Sequence, residues 1–449
     1  MQTFSCKTVI HSGSGAISAL AGYGAQRLYL VADPFFAKNG WADRVAKASG
    51  AREVKIFDRV TPDPSVALAA EGTAELKEFS PDLIVLLGGG SAMDCGKAMA
   101  FFAKLSCPVV AIPTTSGSGS EVTDFAILTH DKVKHPLVDP RLQPDGAILE
   151  SDLLESLPRS LIADGGFDVL SHALEAAVAR NANAFTDLYA RESFRIAFGS
   201  LPASFGGRTD VRLGIHRAAT MAGIAFNQAG LGLCHAISHS LGGMFHVPHG
   251  RLNAVLLPAV VGCNGVAAQH KYAEIARAAG IGGSADAVAV RNLKNGLIRL
   301  RRDLELPQTL KEAGISPRVL WQNMKQILES TLRDTCCETN PIRPDDFLIR
   351  RSLEEVVGRG EGAAQRGAGR GHHLHTDDRL PAHRGKQGLR LRGAGAGHFG
   401  ADRALPQSGP LYPIAWQVSG GRQRPEGSDS RGIPQGGHHP GSGGHRGGD

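Results

Sequence analysis

Residues 83–97 read LIVLLGGGSAMDCGK, and this stretch decides the fold of the first part of the chain. Five apolar residues lead into three glycines, after which a helix is expected. The glycines let backbone N–H groups approach a phosphate without a clash from Cβ. We predict that Ser91 caps the helix, whose positive end faces the same anion, and that Asp94 and Lys97 lie on its first turns. The pattern departs from G-x-G-x-x-G, so an ordinary Rossmann site is not predicted, and a glycine-rich turn without a ligand is the alternative.

Similar apolar runs flank this stretch at residues 28–32, 54–57 and 109–112. Because helix-length segments separate them, they predict a buried parallel sheet with helices on its faces, in an α/β domain over residues 1–156. A second loop, residues 113–121, reads PTTSGSGSE, and its hydroxyls suit hydrogen bonds to phosphate or ribose. Both loops follow strands, so we expect them to converge at the carboxyl edge of the sheet, where α/β folds bind ligands.

The pattern changes at about residue 157, where long stretches rich in Ala, Leu and His replace the strand signals. This predicts an all-α domain over residues 157–358, with a cleft between it and the α/β domain. The helical stretches are residues 160–180, 211–226, 234–243, 268–279, 285–304 and 317–331.

Residues 359–449 form a low-complexity tail rich in Gly, Arg and His, without apolar periodicity. Such a segment has no face to bury, so we predict that it is disordered. Translation out of frame explains its composition best, because GC-rich DNA read in a wrong frame yields these residues. An Arg/Gly-rich RNA-binding tail and a metal-binding His tract are the alternatives.

The composition excludes several classes of protein. No run of about 18 apolar residues and no secretory signal is present, so we expect a cytoplasmic protein without a membrane partner. Seven scattered Cys without a CxxC pair argue against a disulfide framework. The net charge is +6, but residues 360–449 hold 12 basic and seven acidic residues and account for most of it. The rest of the chain is nearly neutral, so no nucleic-acid partner is expected.

Acidic and imidazole side chains recur at helical spacing in the second part. Asp168 and His172 are an i, i+4 pair, as are His235 and His239, and His249 follows. Pairs at this spacing share one helix face and could grip one cation. Spacing alone favours His235 and His239 as joint ligands, although one of them could instead carry protons. Any one of these histidines alone is more often a hydrogen-bonded core or surface residue, but the set as a whole favours a metal site.

Two further cysteine motifs are less informative. Cys234 points away from His235 on a helix and is interpreted as a packing residue. Cys336 and Cys337 could mark a zinc site, but no other Cys lies near them in the sequence.

Together these residues resemble the iron-containing (group III) alcohol dehydrogenases over residues 1–358. The resemblance lies in the loops at 88–97 and 114–121, in the Asp168/His172 pair, in the histidines of 235–250, and in Asn340-Pro341. Within that family the chain is most similar to the 1-propanol dehydrogenases of the propanediol-utilisation microcompartment, above all in residues 112–122 and 230–250.

The resemblance implies a dehydroquinate synthase-like fold, with a dinucleotide-binding α/β domain followed by the helical domain. It implies Fe²⁺, with Zn²⁺ as the second candidate, held by Asp168, His172, His235 and His249. It makes His239 a proton carrier near the nicotinamide, unlike the pairing that spacing favours. Asp33 would accept from the adenosine ribose, which favours NAD over NADP. The implied NAD-binding residues are Asp33, Gly88, Gly89, Gly90, Ser91, Asp94, Lys97, Thr114, Thr115, Ser118 and Lys134.

The implied reaction moves a hydride between NAD(H) and a short aliphatic alcohol or aldehyde, with propionaldehyde as the type substrate. The implied partners are a second copy of the chain and the shell or enzymes of a bacterial microcompartment. Ser118 stands where the family often has Thr, which keeps the hydroxyl. The alternatives are a zinc-dependent polyol dehydrogenase, a metal-dependent hydrolase or lyase, and an inactive product with an altered C-terminus.

Overall fold

A computed structural model describes residues 3–131 and 133–358 of the chain. The predictions made for residues 359–449 lie outside the described residues. No helix among those described is both long and apolar enough to cross a membrane.

The first part is built on a six-stranded sheet in which every neighbouring pair is parallel, in the order β1-β8-β5-β4-β2-β3. The strands are β1 Val9–Gly13, β2 Arg27–Ala32, β3 Glu53–Phe57, β4 Leu83–Gly88, β5 Val109–Pro113 and β8 Gly146–Glu150. A separate antiparallel hairpin consists of β6 Phe125–His130 and β7 Val133–Val138. The four predicted strands are confirmed, whereas β1, β8 and the hairpin were not predicted.

Helices cover both faces of the sheet, as the buried apolar runs predicted. They are α1 Pro34–Lys38, α2 Trp41–Ser49, α3 Val66–Phe79 and α4 Gly90–Ala103. Side chains of β4 alternate between two cores: Ile84 and Leu86 face α3 and α4, and Val85 faces the side of α2. Strand β4 is buried along its whole length, which explains why its sequence is a continuous apolar run.

The second part is helical, and among the described residues no strand follows Glu150. Its helices are α5 Arg159–Val178, α6 Ala184–Phe205, α7 Arg212–Ala229, α8 Leu233–Phe245, α9 His249–Asn264, α10 Gln269–Ala278, α11 Asp286–Asp303, α12 Pro317–Gln322, α13 Met324–Arg333, α14 Cys336–Thr339 and α15 Asp346–Val356. Helix α5 is buried over most of its length and packs against α6, α7 and α9. The predicted order of an α/β part followed by an all-α part is confirmed.

Two local predictions were wrong. The stretch 317–331 is not one helix, because the chain breaks at Asn323 between α12 and α13. Ser91 does not cap α4, because the helix already begins at Gly90 with Gly89 as its N-cap. Gly88 has φ +156, and a Cβ there would lie 2.5 Å from Ala92 Cβ, so glycine at this position allows the helix to begin two residues earlier than predicted.

Candidate metal and cofactor site

Four predicted ligand side chains from three helices meet at the Asp168 carboxylate, and ligand atoms of three of them, Asp168, His172 and His235, all lie within 4.8 Å of one another. The Asp168 Oδ1 atom on α5 lies 3.8 Å from His172 Nε2, 3.8 Å from His235 Nε2 on α8 and 3.4 Å from His249 Nε2 at the start of α9. A tetrahedral ion with bonds of about 2.0–2.2 Å separates its ligand atoms by about 3.3–3.6 Å. The spacing and the donor types therefore fit a divalent cation such as Fe²⁺ or Zn²⁺.

The charges of the buried site also suit a cation. Burial works to raise the pKa of Asp168, but the surrounding imidazoles outweigh it and hold this pKa well below its usual range. Burial lowers the pKa of His172 to about 4, so its imidazole is neutral at pH 7. Burial opposes the charged form of His235 too, but hydrogen bonds to Asp168 and Glu175 raise its pKa to about 9. A metal would therefore displace a proton from His235.

Glu175 orients His235, and sequence reasoning missed it. Its carboxylate is 1% exposed and accepts a hydrogen bond from His235 Nδ1 at 2.6 Å. When a metal displaces the Nε2 proton, this hydrogen bond keeps the remaining proton on Nδ1 and presents the Nε2 lone pair beside Asp168. The same carboxylate accepts from the backbone N–H groups of Gly232, Cys234 and His235 at the start of α8. The available signal was its position on α5, seven residues after Asp168 and three after His172.

Asn253, one turn after His249 on α9, was also missed. Its buried side-chain amide donates to Asp168 Oδ1 at 2.9 Å and lies 3.1 Å from His249 Nε2 and 3.3 Å from His235 Nε2. Its carbonyl oxygen accepts from Ser238 Oγ, which fixes the orientation of the amide. Asn253 therefore holds the carboxylate of Asp168 and closes one side of the ligand group.

His239 lies beside the four predicted ligands Asp168, His172, His235 and His249 (the quartet), but its ring has a different hydrogen-bond partner. Its ring stacks on His249 with 5.1 Å between ring centroids. Its Nδ1 lies 2.8 Å from the Oδ2 atom of Asp334, which follows α13. A carboxylate only accepts, so Nδ1 carries the proton and Nε2 of the neutral ring is free to accept one. The predicted pairing of His235 and His239 as joint ligands, which spacing favoured, does not match this arrangement.

The two glycine-rich loops meet at the carboxyl edge of the sheet, as expected. A Cβ built on Gly89 would lie 3.4 Å from Thr115 Oγ1, and one built on Gly90 would lie 3.7 Å from Ser118 Oγ. The backbone N–H of Thr114 donates to the carbonyl of Gly88 at 3.0 Å. The hydroxyls of one loop therefore stand over the N-terminus of the helix that follows the other, which is a favourable place for an anion.

The second loop also touches the helix that carries the metal ligands. A Cβ on Gly117 would lie 3.2 Å from the Gly165 Cα atom of α5 and 3.4 Å from Asp168 Oδ2. A Cβ on Gly165 would lie 2.8 Å from the carbonyl oxygen of Ser116. Small residues on both sides thus bring the second loop to within contact distance of the Asp168 carboxylate.

The remaining residues assigned to the dinucleotide lie at different distances from these loops. Asp33 follows β2 beside Gly88, and its carboxylate accepts from the backbone N–H of Phe35 at the start of α1. Lys97 is buried, and its ammonium donates to two oxygens of Ser120 and to Thr123 Oγ1, so it secures the second loop from behind.

Asp94 and Lys134, the other two of these residues, have different surroundings. Asp94 accepts from Ser120 Oγ at 3.2 Å, and burial raises its pKa to about 6 against the opposing effects of Lys97 and Ser120. Lys134, on β7, pairs with Asp63 at 2.7 Å. The cofactor roles given to Lys97 and Lys134 stay predictions, and their ammonium groups already have partners within the protein.

Comparison with known protein families gives two consecutive matches. Residues 7–151 match the iron-containing alcohol dehydrogenase model, and residues 162–356 match the C-terminal model of the Fe-containing alcohol dehydrogenase family. The chain is 38% identical over 375 residues to a 1-propanol dehydrogenase of Salmonella typhimurium, covering 80% of this chain and all of that protein. It is 34% identical over 381 residues to an NADPH-dependent butanol dehydrogenase of Clostridium saccharobutylicum, covering 79% and 98% of the two chains.

Solved structures are similar to the same part of the chain. A 1,3-propanediol oxidoreductase aligns with a TM-score of 0.75 at 32% identity, covering 79% of this chain and 99% of that one. An iron-containing alcohol dehydrogenase from Thermococcus thioreducens aligns with a TM-score of 0.73, with the same identity and coverage.

Proposed function

Because the chain belongs to the iron-containing alcohol dehydrogenase family, we propose that it interconverts short aliphatic aldehydes and alcohols with NAD(H), using one divalent cation. One observation supports this most: the carboxylate of Asp168 lies within 3.8 Å of three imidazole nitrogens, next to two converging glycine-rich loops. A metal-dependent hydrolase or lyase would have no use for those loops, so that alternative is less well supported.

The substrate class follows from the relatives. One acts on 1-propanol by its name and another on butanol, and both match almost their whole length. We therefore place propionaldehyde and its neighbours in chain length first among substrates, with reduction by NADH or the reverse reaction. By the same similarity we propose a cytoplasmic setting within a bacterial microcompartment, with its shell or enzymes and a second copy of the chain as partners.

Asp168, His172, His235 and His249 would hold Fe²⁺, and their donor types suit Zn²⁺ as well. A divalent ion bound there supplies a Lewis acid that polarises the substrate oxygen. Glu175 and Asn253 hold their ligand partners in place before the ion arrives, which limits reorganisation on binding.

The chain's own groups handle the proton and the dinucleotide. His239 presents Nε2 while Asp334 holds Nδ1–H, so we assign it the exchange of a proton with the substrate oxygen, directly or through water. The glycine loops and the hydroxyls of Thr115 and Ser118 position the pyrophosphate. Asp33 at the end of β2 would accept from the adenosine ribose and repel a 2′-phosphate, which favours NADH.

The test uses the purified full-length chain, stripped of metal under anaerobic conditions and reloaded with Fe²⁺ or Zn²⁺. We expect NADH-dependent reduction of propionaldehyde only after reloading. His249→Ala should lose bound metal and activity together, whereas His246→Asn, at an exposed histidine after the same helix α8, should keep both. Full activity of a metal-free protein would contradict the proposal. Activity on glycerol with zinc, and none on propionaldehyde, would favour the zinc-dependent polyol dehydrogenase.

A further inference from the structure

A second group of side chains with possible metal-ligand atoms lies beside the quartet. His239 on α8, Asp334 after α13 and Cys336 at the start of α14 each offer one ligand atom, and these atoms all lie within 4.8 Å of one another. All three side chains are partly buried. The cluster thus joins one nitrogen, one oxygen and one sulfur donor from segments nearly a hundred residues apart.

The three groups are already held towards one another. His239 Nδ1 donates to Asp334 Oδ2 at 2.8 Å, and the backbone N–H of Cys336 donates to Asp334 Oδ1 at 2.9 Å. Asp334 is therefore fixed between the imidazole and the turn that presents the thiol. Burial raises the pKa of the Cys336 thiol well above its usual value, so without a metal the sulfur keeps its proton.

We propose that His239, Asp334 and Cys336 form a second metal site, selective for thiophilic divalent ions such as Zn²⁺ and Co²⁺. Three protein ligands with one open position are a common arrangement for zinc, and a sulfur donor disfavours Mg²⁺ and Ca²⁺. Binding releases one proton to solvent, from the thiol, while the Nδ1 proton of His239 moves to Nε2, so that the neutral imidazole binds through Nδ1. In a tetrahedral site the ligand atoms would be roughly 3.3–3.8 Å apart, so His239 Nδ1 and Asp334 Oδ2 would separate from 2.8 Å and the thiol sulfur would stay within its present 4.8 Å of both.

One consequence rests on the proposed function. An ion on His239 Nδ1 would break the hydrogen bond to Asp334 and reorient the proton carrier. Excess Zn²⁺ should therefore inhibit the iron-loaded enzyme, and Cys336→Ser should retain a larger fraction of its own activity at the same zinc concentration.

Cobalt separates the two sites by spectroscopy. The quartet contains no sulfur, so Co²⁺ bound there gives no thiolate-to-cobalt charge-transfer band, whereas Co²⁺ on Cys336 does. The eight His of residues 360–449 give no such band either, since that segment has no Cys. Titrating the metal-free full-length chain with Co²⁺, we expect the band to saturate at one sulfur-ligated ion per chain.

Variants assign the band to this cluster. Cys336→Ser should abolish it, and Cys337→Ser is the matched control, because the neighbouring Cys337 thiol instead donates to the carbonyl of Thr331 and its loss should leave the band intact. Asp168→Asn should weaken binding at the quartet while the band remains. Absence of the band in the wild type, or its persistence in Cys336→Ser, would overturn the proposal.

A second measurement, on the wild-type protein, tests the site even if the Cys336→Ser variant fails to fold. Co²⁺ or Zn²⁺ should protect Cys336 of the wild type from alkylation, measured by mass spectrometry, and equal labelling with and without metal would overturn the second site. The outcome does not depend on enzyme turnover. A protein that shows the band but has no alcohol dehydrogenase activity would support this site and contradict the proposed function. A protein with that activity but without the band would support the proposed function and contradict this site.

Discussion

The carboxylate of Glu175 offers the sharpest test of how the fold prepares the cation site. In Glu175→Gln one oxygen becomes an NH₂ group, which cannot accept a hydrogen bond. The remaining oxygen can serve either His235 Nδ1 or the backbone N–H of Cys234, which lie 2.6 Å from different oxygens of the native carboxylate. In either case one of these N–H groups faces the NH₂ group, which lowers stability, and His235 also loses the negative charge that raises its basicity, which lowers metal affinity.

The magnitudes follow from those contacts. Loss of an outer partner of a metal-ligating imidazole typically lowers metal affinity about 10–100-fold, or about 1.4–2.8 kcal/mol. A buried N–H left without an acceptor costs about 1–3 kcal/mol, which should appear in the free energy of unfolding of the metal-free protein. Chelator competition measures the first quantity, and denaturant unfolding of the stripped protein measures the second.

Glu150→Gln is the matched control. Glu150 is fully buried and accepts from the backbone N–H groups of Gly15 and Ile17, but it contacts none of the proposed ligands. It should lose stability to a similar extent and keep the wild-type metal affinity. Equal metal affinities for the two variants would refute the role given to Glu175.

Three further predictions concern Gly250 in the helix that begins at His249, the buried His216 beside the second loop, and the choice between NADH and NADPH. Gly250→Ala should lose bound metal and thermal stability, because its Cβ would lie 2.1 Å from the Asp164 carbonyl oxygen. The control Gly243→Ala, whose Cβ would have no atom within 4 Å, should instead raise the free energy of unfolding by about 0.5–1 kcal/mol. Equal thermal stability and equal metal content in the two variants would contradict this prediction. Burial lowers the pKa of His216 from 6.5 to about 4, so the unfolded chain binds the extra proton and wild-type stability should fall as pH drops from about 6.5 towards 4. Denaturant unfolding across that range should show a smaller fall for His216→Gln, by on the order of 3 kcal/mol, and identical pH profiles would exclude the effect. Asp33→Ala should lower the preference for NADH over NADPH, measured as the ratio of their kcat/KM values, by about 10–100-fold, because this is the contribution of one hydrogen bond to a charged group. An unchanged ratio would show that Asp33 does not select the cofactor.

The sequence predicted three adjacent interior strands, β5, β4 and β2, and edge strand β3, but it missed interior strand β8, which is also buried. Strand β4 and its neighbours are buried on both faces, so they appear as uninterrupted apolar runs. Edge strand β1 exposes Val9 and Ile10 and contains His11, so it carries no such run. The hairpin strand β7 includes Lys134, His135 and Pro136, which are not typical of a strand.

The site shows the limit of local spacing more clearly. Helical spacing placed His235 and His239 on one face, but it could not show that one ring meets Asp168 while the other meets Asp334. Asp334 lies 95 residues from His239, and Glu175 lies 60 residues from His235. Contacts of this kind depend on how α5, α8 and α13 pack, and no pattern within a single helix specifies them.

We propose that Asp168, His172, His235 and His249 bind one cation beside the two glycine-rich loops. The most direct measurement is anomalous diffraction at the iron edge from crystals of the Fe²⁺-loaded full-length protein. We expect an iron peak about 2.0–2.3 Å from the Asp168 carboxylate and from Nε2 of all three histidines. Iron bound elsewhere with this quartet empty, or iron held by His239 in place of one of the three, would contradict it.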